Sequence, residues 1–185
     1  MFGAAWNRLA SRRLHRRVDI EVTQAKSASA DFDVVWKRCR GDTSFSGVRD
    51  AAWIERRFFS SPARNYQVLV ARLRNLPTAW LAYSVNRGPG KTTAQLTELF
   101  AAEGDTGSCE ALMLELLRRL EEQEADLVYT LAVPGTPLFA WFRTIGFLRG
   151  PSFGVHIVPL ATDVPLERFL DPRAWRLTGA DFDVA

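Results

Sequence analysis

The chain has 185 residues and a mass of 20.8 kDa, room for one domain of common size and too little for two. Its 47% hydrophobic and 24% charged content is that of a folded globular protein and excludes a disordered, collagen-like or coiled-coil chain. No apolar run approaches the ~18 residues that a membrane span needs. Two distant cysteines, Cys39 and Cys109, and two histidines, His15 and His156, signal neither a disulfide scaffold nor a metal site.

The formal charge of +3 is unevenly placed. Arg8, Arg12, Arg13, Arg16 and Arg17 against Asp19 give residues 1–20 a net +4, which leaves the other 165 residues at −1. The body is near neutral, so nucleic-acid binding by it has little support. Residues 1–17 read as a basic amphipathic helix or linker, with Trp6, Leu9, Ala10 and Leu14 at helical spacing. Four roles stay open for this segment: a solvated helix on the domain, a linker from an upstream domain, a membrane or nucleic-acid contact, and an organelle presequence. It lacks the apolar centre of a secretory signal, and a cytoplasmic location is expected. Residues 18–185 are expected to form a single domain.

From Val18 the hydrophobic period switches in an orderly way. Val18–Lys26 reads as a strand. Ser29–Arg40 reads as a helix with Phe32, Val35, Trp36 and Cys39 on one face, and Arg49–Phe59 as a second helix. Three strands follow, Tyr66–Leu73, Thr78–Asn86 and Thr92–Ala101, joined by turns at Asn75-Leu76-Pro77 and Asn86–Lys91. Gly107–Glu124 is the clearest helix, with Leu112, Leu116, Leu117 and Leu120 inward. Asp126–Val133 reads as a strand, and Pro137–Ile145 as a short helix capped by Thr136. Phe147–Gly150 and Phe153–Leu160 read as a last strand pair, with a helical piece after Pro165. The order predicts an α/β domain whose mixed, mostly antiparallel sheet carries helices on both faces.

Three short stretches carry candidate chemistry. Gly88-Pro-Gly-Lys-Thr-Thr93 ends like a phosphate loop, but Val85 stands where that loop needs its first glycine and β-patterned residues follow, so it reads as a hairpin turn. Glu103-Gly-Asp-Thr-Gly-Ser-Cys109 leads from a strand into the strongest helix. Its backbone could receive a phosphate at the helix N-terminus, or Asp105, Thr106 or Ser108 could simply cap that helix. Cys109 at the same place would have a lowered pKa and could be a nucleophile, although no partner histidine is evident. Glu98 shares its alternation with Ala94, Leu96 and Phe100. A carboxylate in such an apolar setting has a raised pKa and suits a general base; the other reading is a partly exposed glutamate on an open strand face.

The element order, the position of the 103–109 loop, and the later Phe142-Arg-Thr-Ile-Gly146-Phe147 resemble the GNAT acyltransferase superfamily. The likeness covers about residues 18–160. Asp50-Ala-Ala-Trp53-Ile-Glu-Arg-Arg57-Phe58 with Pro62 and Tyr66, and the ending Trp175-Arg-Leu-Thr-Gly-Ala-Asp181-Phe-Asp183, which reads as packing and not chemistry, are similar to a bacterial subgroup. Some of its members carry two such domains in tandem. The resemblance implies a GNAT-type fold whose sheet splays between Thr92–Ala101 and Asp126–Val133. It also implies acyl transfer from acetyl- or acyl-coenzyme A to a small-molecule or peptide amine, with no metal. Glu98 would be the base. Backbone of Leu99, Phe100 and Ala101 would hold the pantetheine as an added strand, and Gly104, Thr106, Gly107, Ser108 and Cys109 the pyrophosphate. Gly107 matches the first glycine of the family's (Arg/Gln)-x-x-Gly-x-(Gly/Ala) loop, whereas Gly104 replaces its Arg or Gln and Cys109 its last small residue. Phe142 stands where many members place a tyrosine acid. The alternative implied by these departures is a catalytically silent GNAT-like domain, a structural or interaction module paired with a second domain or a second copy.

Overall fold

Two tight hairpins generate the sheet. Strand β3 (Tyr66–Leu73) passes through Arg74 and Asn75 into β4 (Leu76–Gly88). Both turn residues have positive φ, 50° and 68°, as a two-residue turn matched to the strand twist requires. β4 then turns through Pro89 and Gly90 into β5 (Lys91–Ala101). Proline sets the first corner, and Gly90, at φ 73°, takes the left-handed second one. The string that ends like a phosphate loop is this turn.

The computed structural model describes residues 14, 15, 17–41, 45–62, 64–151, 167 and 170–182. β1 (Ile20–Ala25) pairs antiparallel with β3, and β6 (Leu127–Thr130) pairs parallel with β5. The sheet order is β1-β3-β4-β5-β6, the mixed, mostly antiparallel arrangement expected. Helices cover both faces. On one, α3 (Thr106–Glu122) lays Leu112, Met113, Leu116, Leu117 and Leu120 on Leu69, Leu81, Leu96 and Leu99, and α4 (Pro137–Thr144) adds Phe142. On the other, α1 (Ala30–Cys39) and α2 (Ala51–Ile54) bury Phe32, Val35 and Ile54 against Trp80 and Phe100. Trp80 meets Phe32, Phe58 and Phe100 at 5.6–5.9 Å between ring centres, contacts worth about 0.5–1.5 kcal/mol each beyond their buried area.

Four expectations change. The second helix is a short α-helix capped by Asp50 that widens into a π turn at Glu55–Phe59, with Ser60 N bonded to Glu55 O at 2.8 Å. Residues 147–150 form no strand among the described residues; Phe147 instead closes α4, its N bonding Phe142 O at 3.0 Å and its O accepting from Arg143 Nη1 at 2.7 Å. The segment after residue 170, read as packing, makes a parallel ladder: β7 (Trp175–Arg176) pairs with β2 (Phe45–Ser46) and leads into a 3₁₀ turn at Gly179–Asp181. We call residues 175–181 the strap.

The fourth concerns β5. Ala82 pairs with Glu98 and Tyr83 with Leu96, so Thr97 is the extra residue of a β-bulge. The bulge breaks the period of two. Ala94, Leu96, Leu99 and Ala101 face α3, while Phe100 faces α1 and α2. Glu98, opposite Ala82, therefore shares a face with Phe100 but not with Ala94 and Leu96. The strand expected at Phe153–Leu160, the helical piece after Pro165 and most of the basic segment 1–17 lie outside the described residues. Within that last segment Leu14, only 6% exposed, joins the α3-side core.

Candidate functional site

β5 and β6 part company. Their pairing ends at Leu96 with Thr130, and β5 runs on to Ala101. The opening, together with the 102–105 loop, the start of α3, α4 and the strap, encloses a cavity of about 530 Å³. Among the residues expected to bind a cofactor, Leu99, Ala101, Gly104, Thr106 and Cys109 line it. Val133, Leu138, Trp141, Trp175 and Leu177 make most of the remaining wall apolar. Phe100, Gly107 and Ser108 are not on that wall. Phe100 is turned to the other face by the bulge. Ser108 is buried, its Oγ 2.8 Å from Thr78 Oγ1 and donating to Asp105 Oδ2 at 3.0 Å. Gly107 lies under Arg17, whose Cδ would sit 2.9 Å from a Cβ placed there.

The loop is capped from within. Asp105 is the N-cap of α3 and accepts from Ser108 N at 3.1 Å, the reading in which the loop's polar residues serve the helix. Cations arrive from elsewhere: Arg17 over Gly107, and Arg38 of α1 with Nη2 4.0 Å from Asp105. Cys109 does not behave as a helix-terminal thiolate. Burial first, and then the Asp105 charge, push its pKa up to about 12, so it stays a neutral thiol at physiological pH.

Glu98 is 1% exposed and is absent from the cavity wall. Its Oε2 accepts from Arg49 Nε at 2.9 Å and from Thr178 Oγ1 at 2.8 Å, and its Oε1 from Leu99 N at 3.1 Å. Arg49, also 1% exposed, donates through Nη2 to Asp181 Oδ1 at 2.6 Å and lies over the Trp53 ring at 4.3 Å. Burial opposes the Arg49 charge, but Glu98 and Asp181 outweigh it and hold its pKa above the ordinary value. The strap closes on the same point. Thr178 N donates to Asp181 Oδ2 at 2.9 Å, and Gly179 passes so close to the bulge that a Cβ there would stand 3.1 Å from Thr97 O. The apolar setting expected for Glu98 is thus an ion-pair network. Arg49 and Thr178 carried no sequence signal, and Asp181 was read only as packing. The signal available was Glu98 itself, because a carboxylate inside an apolar strand must find a cation or a hydrogen bond.

No family model matches the chain, and no curated protein matches it by sequence. Solved structures do resemble it. An aminoglycoside acetyltransferase from an uncultured soil metagenomic sample, in complex with trehalose, covers 77% of this chain and 97% of its own at 14% identity, with a TM-score of 0.55. The ribosomal-protein-alanine N-acetyltransferase of Brucella melitensis biovar Abortus 2308 covers 79% and 100% at 14% identity, TM-score 0.53. AAC(6')-Iy in complex with the bisubstrate analog CoA-S-monomethyl-acetylneamine covers 76% and 98% at 11% identity, TM-score 0.53. The chain has the GNAT fold. Within that fold, the departure at Phe142 is a packed one: the ring is 3% exposed, 5.4 Å from Trp141 and 5.0 Å from Phe147 between centres. It has no proton to give.

Proposed function

We propose that the chain is a cytoplasmic N-acyltransferase of GNAT type, moving an acyl group from acetyl- or acyl-coenzyme A to the amine of a small molecule or peptide. The observation that carries this reading is the apolar cavity of about 530 Å³ at the splay of β5 and β6, beside the N-terminus of α3. Its apolar walls suit a narrow amide-bearing arm better than a diphosphate, because the carboxylates of Glu103 and Asp105 are among its lining groups. Arg17 and Arg38 bring positive charge to the loop, and the α3 dipole adds to it. Bound acyl-coenzyme A would supply an activated thioester. The residues of this chain would hold it between Leu99, Ala101 and Leu138, and would keep water from it with Trp141, Trp175 and Leu177. Glu98 contributes by position in this reading, holding Arg49 and Thr178 behind the wall.

The second reading is a silent GNAT-like domain serving as one half of a tandem or homodimeric assembly. Phe142 in the core and the Asp105 cap favour it. Calorimetric titration with coenzyme A, acetyl-coenzyme A and a longer acyl form separates the two. Saturable heat below millimolar concentration supports the enzyme; none at millimolar ligand supports the silent domain. Where turnover is measured, Glu98→Gln tests its part. A proton-accepting Glu98 predicts a loss of roughly 10²–10⁴-fold with coenzyme affinity kept, whereas a positioning role predicts a lower melting temperature and an unchanged pH–rate profile.

A further inference from the structure

Beyond Leu96, β6 has left the edge of β5, and the backbone groups there are without a strand partner on that side. Two of them are already taken. Arg176, on β7, donates through Nη1 to Ala101 O at 3.1 Å and through Nη2 to Leu99 O at 3.1 Å, with its guanidinium carbon 4.1 Å from the centre of the Phe100 ring. Residues two apart on a strand turn their carbonyls to the same edge. The two terminal nitrogens of one guanidinium therefore do what the N–H groups of a neighbouring strand would do. Leu99, Ala101 and Arg176 all line the cavity.

We propose that Arg176 is a built-in occupant of the ligand edge of β5. A ligand whose amides add to this edge as a strand has to displace it, so Arg176 sets how tightly such a ligand binds. The proposal rests on the acyl-coenzyme A reading, because the pantetheine arm carries two amides. Two features make Arg176 releasable. It pairs with no carboxylate among the described residues, and its Nε is buried without an acceptor, which works against the closed position. The strap does not depend on it. Thr178 is held by Glu98, Asp181 by Arg49, and the carbonyls of Ala180 and Phe182 accept from Arg57 Nε and Nη2 at 3.2 and 2.9 Å. The Arg176 side chain can swing into water while residues 178–182 stay in place, and the freed carbonyls then meet the ligand amides.

The test is calorimetric titration of acetyl-coenzyme A into the full chain and into Arg176→Ala and Arg176→Lys, the lysine being unable to span two carbonyls. Removing an occupant raises apparent affinity by the reciprocal of the fraction of chains that stand open, and we expect about tenfold tighter binding for the alanine variant. The lysine variant should be intermediate, and it carries the comparison if the alanine variant fails to fold. On the wild type, acetyl-coenzyme A should also speed amide hydrogen exchange at residues 175–177. Wild-type binding with equal or weaker binding by both variants, or with no change in that exchange, overturns the proposal and leaves the acyl-coenzyme A reading standing. Absence of binding by all three chains overturns both.

Discussion

Over residues 91–96, β5 is paired with β4 on one side and, from Thr93, with β6 on the other, and its side chains alternate between the faces as a strand's should. Over residues 97–101 it keeps β4 but has lost β6, carries an extra residue, buries a carboxylate, and gives up two carbonyls to a side chain from far along the chain. The residues themselves hardly differ: Thr-Thr-Ala-Gln-Leu before, Thr-Glu-Leu-Phe-Ala after. What separates scaffold from site is one unpaired threonine. The bulge at Thr97 sends Glu98 to the face where Arg49 waits and aims Leu99 and Ala101 at the cavity.

The comparison breaks most completely if an alanine is inserted between Ala82 and Tyr83 of β4, which gives Thr97 a partner and removes the bulge. Restored alternation would drive Glu98 into the α3-side core, where its ordinary partners are absent. Far-ultraviolet circular dichroism and urea titration should then show no cooperative folded state, whereas one glycine inserted between Pro89 and Gly90 should leave the transition intact. A folded insertion variant with near-native stability would mean that the bulge is not what places Glu98.

The next effect is smaller. Arg49→Ala strands the Glu98 and Asp181 charges and should cost about 3–5 kcal/mol in denaturant unfolding. Arg49→Met combined with Glu98→Gln should lose less than Arg49→Ala alone, because the buried anion has gone with its cation. Arg118→Ala, which breaks exposed pairs to Glu115 and Glu122 on α3, should stay within about 0.5 kcal/mol. If Arg49→Ala were as mild as Arg118→Ala, the buried network would contribute nothing to stability.

The smallest expected effect sharpens the comparison at the cavity wall. Cys109 holds its proton in the fold up to about pH 12, against an ordinary value of 9.0. The unfolded chain therefore releases the proton first as pH rises, so stability is level below roughly pH 8 and declines from about 8.5 upward. Cys109→Ser should flatten that decline, and iodoacetamide at pH 8 should label the native chain far more slowly than the urea-unfolded one. Equal labelling rates would show that the thiol is open to solvent.

Much of the architecture was legible because it is local. Tyr66–Leu73 lies where its period and flanking turn residues put it, Thr136 and Pro137 start α4, and the leucines of α3 face the sheet as their spacing requires. The splay and five of the expected wall residues came with the GNAT likeness. The bulge was not legible, since a period of two carries no mark of an inserted residue. Nor was the network, whose partners stand 49 and 132 positions from Arg49 with no spacing rule to join them. The fall expected in the Cys109 pKa failed for a related reason: helix position favours the thiolate, but burial beside Asp105 outweighs it, and burial is a property of the whole fold.

The strap also imposes an order in time. Thr178 follows Glu98 by 80 residues, so at ~5–20 residues per second a ribosome needs roughly 4–16 s between making the two. During that interval the sheet and the Arg49 pair can assemble, but Glu98 lacks its hydroxyl partner, Arg49 lacks Asp181, and the edge of β5 lies bare. A nascent chain is thus briefly a different molecule from the finished one, with its ligand edge open and its charges half answered. Closure of that edge has to wait for the strap to be made.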